Sequence, residues 1–169
     1  TGYLLLIWFG RKGPVGAILD QYFGIVFSFR WTGAALACGV MAFPLLVRAI
    51  RLSFEAIDPG LEQAAQTLGA RRLDRFFIIT LPLAAPGVLV ATIGGFAAAL
   101  GEFGAVITFA ANVPGETQTL ALAIYGALQT PGGEPLALRL AGLSFAISIV
   151  ALVIGEWLAR RVDRKRRRL

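Results

Sequence analysis

The chain has 169 residues, 57% of them hydrophobic and only 15% charged, and its mean hydropathy is +0.73. Soluble domains carry about 25% charged residues, so this composition excludes an ordinary hydrated surface and defines a membrane protein. The absence of histidine excludes histidine-ligated zinc and a Ser-His-Asp triad, and the single cysteine, Cys38, excludes an internal disulfide and a multi-cysteine metal site. Seven of the sixteen Lys and Arg residues lie in the last ten positions, so the net charge of +6 marks one end of a hydrophobic chain rather than a nucleic-acid surface.

In chain order, the first apolar run, Gly2 to Gly10, is too short to cross a bilayer. It has no basic n-region or cleavage site of a signal peptide, and it reads as the end of a helix whose beginning is missing here. A connection at 11–31 follows, with Arg11, Lys12 and Arg30. Three uncharged gaps then mark three spans: 17 residues between Arg30 and Arg48, 26 between Arg75 and Glu102, and 16 between Arg139 and Glu156. A spanning helix needs about 17–25 mostly apolar residues.

The first and second spans are joined by a loop from about Arg51 to Thr80. Asp58-Pro59-Gly60 opens a short helix there, with Asp58 as N-cap and Pro59 at the first helical position. Leu61, Ala64, Ala65 and Leu68 make one apolar stripe, opposite Glu62, Gln63 and Gln66, and Gly69 stands where a left-handed cap is expected. A second short helix begins near Arg71 and turns at Leu81-Pro82.

The second span ends at Glu102, Phe103 and Gly104, and an ionisable group at that depth is a functional candidate. Closing a helix end by bonding a backbone N–H is one role for Glu102; a gate or binding-protein contact is the other. Turn-rich stretches at 112–117 and 129–135 then flank a ten-residue apolar run, Thr119 to Leu128, which suits a re-entrant or interfacial helix. Five basic residues in 48–81 and seven in the tail place both in the cytoplasm, with 11–31 and 111–138 outside. The expected layout is all-α: a transmembrane domain over 1–158 with a cytoplasmic loop at 55–81, then a basic cytoplasmic tail at 159–169 against the anionic leaflet.

The loop carries a more specific pattern. Gln63-Ala64-Ala65, three residues, Gly69, nine residues, Ile79, one residue and Leu81-Pro82 resembles the EAA loop of binding-protein-dependent ABC importer permeases. With Gly69 fixing the register, Gln63 stands at the glutamate position and Glu62 one residue before it. The segments Leu100 to Ala105, Asn112 to Thr117 and Gln129 to Gly133 look like the molybdate branch of that family, with the sulfate/thiosulfate permeases as near relatives.

The resemblance implies a type I permease core lacking one or two N-terminal helices, in a bacterial inner membrane, importing molybdate or tungstate, with sulfate/thiosulfate as the alternative cargo. It implies as partners a second permease copy, two ABC ATPases that bind ATP-Mg, and a periplasmic oxyanion-binding protein. Glu62, Gln63, Ala64, Ala65, Gly69, Leu81 and Pro82 would then form the ATPase-coupling loop. The chain itself has no phosphate-binding Gly-x-x-x-x-Gly-Lys-Ser/Thr loop and is expected to carry no cofactor, metal or catalytic residue. Its spans hold no Lys or Arg to clamp an oxyanion, which fits a passage rather than a tight site. A stand-alone secondary transporter, the alternative class, would need coupling ionisable groups and shows inverted repeats in many cases; only Glu102 qualifies, and no repeat is evident.

Overall fold

Each uncharged gap becomes the middle of a long helix. The computed structural model describes residues 1–166, with side chains through Arg161; Arg167, Arg168 and the side chains of Arg164, Lys165 and Arg166, all part of the expected basic tail, lie outside the described residues. The helices are α1 (Gly2–Phe9), α2 (Pro14–Phe23), α3 (Trp31–Glu55), α4 (Pro59–Thr67), α5 (Arg72–Arg75), α6 (Leu81–Leu100), α7 (Gly104–Phe109), α8 (Leu120–Leu128) and α9 (Glu134–Arg166). A π-helical turn, Phe76–Thr80, joins α5 to α6, and no strand occurs among the described residues. The all-α expectation therefore holds.

Three stretches are long and apolar enough to cross a membrane: Trp31–Glu55, Arg72–Leu100 and Glu134–Arg161. At 1.5 Å per residue, the 25 residues of α3 reach about 37 Å, more than the ~30 Å hydrocarbon core. The charge gaps thus locate the spans but underestimate the helices. Arg51 and Glu55, an i,i+4 pair 2.6 Å apart, carry α3 a full turn beyond the apolar stretch, so the first loop starts later than Arg51.

Leu81-Pro82 does not end an element either. The Leu81 N–H bonds back to the Phe76 carbonyl, five residues earlier, so the chain stays helical from α5 through α6. A π turn absorbs a proline just beyond it by shifting the hydrogen-bond register. The connection at 11–31 holds a helix that its charges gave no hint of. Gly13-Pro14 opens α2, and Gly24, at φ +64°, closes it while donating to the Asp20 carbonyl.

The chain divides into two units, Thr1–Phe43 with Phe96–Ile149, and Pro44–Gly95 with the residues from Val150 onward. The first is built on a core of Leu5, Ala34, Ala37, Val106, Phe109 and Leu122. Small residues allow the close packing: Gly2 sits against Ala105 and Thr108, and Gly33 against the Phe109 ring.

In the second unit α6 turns one stripe of small residues inward: Ala84, Gly87, Ala91 and Gly95. Gly95 lies against the Leu46 side chain and Gly87 against Ser53, so α3 and α6 run in opposite directions with α3 side chains seated on the glycines of α6. Gly155 of α9 lies against Ile93 of α6. Gly95 thus faces α3, whereas its neighbour Gly94 looks into open space. Pro44 and Pro86 are interior to α3 and α6.

Candidate functional site

The loop between α3 and the π turn is built from its own caps inward. The Asp58 carboxylate accepts from the Gly60 N–H at 2.8 Å and Pro59 occupies the first turn, as the sequence predicts. At the other end Gly69 has φ +83°, its N–H donates to the Gln66 carbonyl at 3.0 Å, and Ala70 N–H donates to the Ala65 carbonyl at 3.1 Å. This pair of bonds is a Schellman closure, which needs a residue free to adopt positive φ. Nine residues are thereby stopped at both ends.

Which face of α4 the chain holds is the less obvious result. The Glu62 carboxylate accepts from the Thr80 hydroxyl at 2.6 Å. One turn on, the Gln66 side-chain oxygen accepts from Arg75 Nη1 at 3.1 Å, and the same nitrogen lies 3.4 Å from the Glu62 carbonyl. Glu62 and Gln66 of the polar face are therefore tied to the chain, and the apolar stripe is turned away: Leu61 is 46% and Leu68 88% exposed, with Ala64 exposed between them. Ala65 is half-buried. An amphipathic helix normally buries its apolar stripe, whereas here the chain itself leaves that stripe uncovered. Leu81 and Pro82, the last residues of the motif, are exposed in the first turn of α6.

The second candidate group makes the hinge between α6 and α7. Glu102 is half-buried, and its carboxylate accepts from the Ala105 N–H at 2.8 Å, which satisfies one free donor at the start of α7. Phe103 packs on Tyr125 of α8 with ring centroids 4.9 Å apart, and the exposed Gly104 offers its carbonyl to the Thr108 hydroxyl. The expected short helix in the turn-rich segment is α8, opened by the Thr119 hydroxyl, which accepts from the Leu122 N–H.

One grouping had no sequence signal. Arg11, Lys12 and Arg30 converge with Ser28 and Glu116 on an open cavity of about 710 Å³ in the first unit. Arg11 is paired with Asp20 at 3.6 Å, and neither Lys12 nor Arg30 has an ion-pair partner among the described residues.

An all-α polytopic membrane protein with a capped amphipathic helix between two spans is the class that fold and loop define. The chain belongs to the family described as binding-protein-dependent transport system inner membrane component, whose profile matches residues 2–164. Among its relatives, the molybdenum transport system permease protein ModB of Escherichia coli (strain K12) is 56% identical over 166 residues, covering 98% of this chain and 72% of that protein. ModB of Haemophilus influenzae is 55% identical over 164 residues, covering 97% and 72%. The sulfate transport system permease protein CysT of Salmonella typhimurium is 35% identical over 165 residues, covering 98% and 59%. The chain is thus the membrane component of a transport system.

Proposed function

We propose that this chain is the permease subunit of an ATP-driven importer of molybdate, and that α4 is the element through which partner ATPases move it. The observation that carries the coupling role is the inverted amphipathicity of α4: its polar face is held by Thr80 and Arg75, and Leu61, Ala64 and Leu68 are presented outward. Small alanines between two leucines let a groove close down on the helix. Identity of 55–56% to molybdenum permeases over nearly all of this chain, against 35% to a sulfate permease, supports molybdate as the cargo.

The working assembly is two permease copies, two ATPases and one external oxyanion-binding protein, with the C-terminus and α4 cytoplasmic. The segment 48–81 holds five basic residues and the segment 111–138 none, which supports that orientation. ATP binding in the partners draws α4 with it, and the permease pair changes from inward-facing to outward-facing. A nearly complete switch requires the nucleotide to favour one state by about 5 kcal/mol, so the loop has to transmit force without yielding. This chain supplies the passage and takes no part in the phosphate chemistry.

Ala64→Asp tests the docking surface. It puts a charge at the centre of the exposed stripe without touching any intrachain bond of α4. The expected result is a protein that inserts normally but neither holds the ATPase nor drives uptake. Wild-type uptake by this variant would remove α4 from the coupling role.

A further inference from the structure

The coupling reading leaves open how a nine-residue surface helix passes motion on. Nothing buries α4 against the membrane domain: none of its residues is buried. What holds it is polar and local. Thr80, the last residue of the π turn, is 9% exposed, and its hydroxyl reaches back 18 residues to Glu62. A 2.6 Å contact from hydroxyl to carboxylate is in the range of charge-assisted hydrogen bonds. Arg75, at the start of the same helix, grips Gln66 and the Glu62 carbonyl, and its Nε is buried without a partner.

Glu62 and Gln66 are one turn apart on α4, while Arg75 immediately precedes the π turn and Thr80 is its last residue. The π turn determines which face Thr80 takes. It adds one residue to a helical turn, so a plain α-helix through 76–80 would rotate Thr80 away from Arg75. The Phe54 and Phe76 rings, stacked 6.3 Å apart, brace the same turn against the end of α3.

We propose that Glu62, Gln66, Arg75 and Thr80 form a clasp that makes α4 rigid with the base of α6, so that displacement of α4 becomes displacement of a spanning helix. These are positioning residues: they act through α4 and α6 and touch neither nucleotide nor cargo. Glu62 on this account is a strut within the permease rather than an ion-pair partner for the ATPase. The inference rests on the coupling role of α4 proposed above.

The test uses the complete transporter in proteoliposomes, with molybdate uptake and ATP hydrolysis measured on the same vesicles. Thr80→Val removes the donor and keeps the shape. Uptake per ATP hydrolysed is expected to fall about five-fold or more while ATPase association and hydrolysis persist, because a loosened strut loses transmission rather than nucleotide chemistry. Thr80→Ser, which restores the hydroxyl, returns the ratio towards wild type. Gln66→Ala alters an exposed side chain whose loss does not threaten folding, and it is expected to lower the ratio about two-fold.

An unchanged ratio in Thr80→Val, or uptake and hydrolysis falling in proportion, overturns the clasp. If Thr80→Val does not accumulate, Gln66→Ala decides alone, and a wild-type ratio there overturns it. Failure of the clasp is separable from failure of the coupling role: wild-type ratios in the clasp variants with Ala64→Asp inactive remove the clasp only. Normal uptake in Ala64→Asp removes the coupling role itself.

Discussion

Gly69 allows the sharpest quantitative prediction. Its φ of +83° lies in the left-handed region, and no atom stands within 4 Å of where a Cβ would go. Gly69→Ala therefore meets no steric obstacle, and its whole cost is conformational, about 1–2 kcal/mol. That cost falls on a helix of nine residues with no buried face, and isolated helices this short are marginal in water. A loss of 1–2 kcal/mol is roughly a five- to thirty-fold change in the closed-to-frayed ratio of the last turn. Asparagine tolerates positive φ better than alanine, so Gly69→Asn falls between the two. Hydrogen exchange at the Ala70 amide, which closes the cap on the Ala65 carbonyl, reads the fraying directly in nanodiscs. Exchange is expected to accelerate in the order Gly, Asn, Ala, with ATP-driven uptake declining in the same order. Alanine equal to glycine in both readouts would refute the argument that the left-handed closure holds α4.

Two further predictions concern packing and capping. At Gly95 an added methyl carbon would lie 2.6 Å from Leu46 Cδ2 and 2.9 Å from its Cγ, so Gly95→Val overpacks the α3–α6 contact at a cost of about 1–3 kcal/mol. Thermal unfolding in detergent is expected to shift down, and adding Leu46→Ala should recover part of the loss; strict additivity of the two changes would deny the contact. For Glu102, whose carboxylate caps the start of α7, Glu102→Ala should lower stability by about 1 kcal/mol while Glu102→Gln, which keeps an acceptor, retains stability and uptake. Loss of uptake in Glu102→Gln with stability intact would instead assign the carboxylate to a gate or a binding-protein contact.

Local chemistry was legible where the signal is local. The three spans could be read because charge is expelled from the apolar middle of a membrane helix, and α4 because Asp58-Pro59 and Gly69 act on their own neighbours. The π turn was not legible: Leu81-Pro82 carries a break signal, and only the Leu81–Phe76 bond shows that the helix continues. Nor could the pattern of Leu61, Ala64 and Leu68 tell which face of α4 is held. That choice is made by Arg75 and Thr80, 13 and 18 residues beyond Glu62. The helix α2 has local end signals in Pro14 and Gly24, which the charge pattern of 11–31 does not reveal. Arg11, Lys12, Arg30 and Glu116 come together only through tertiary structure, so no spacing announces their cavity.

The central claim, an ATP-driven molybdate permease, is tested most directly by uptake of labelled molybdate into proteoliposomes holding the complete transporter and its binding protein. Uptake is expected to require ATP on the side that carries the ATPases and the binding protein on the opposite side, with excess sulfate a poor competitor. Uptake independent of ATP would contradict the class of transporter, and sulfate preferred over molybdate would contradict the cargo.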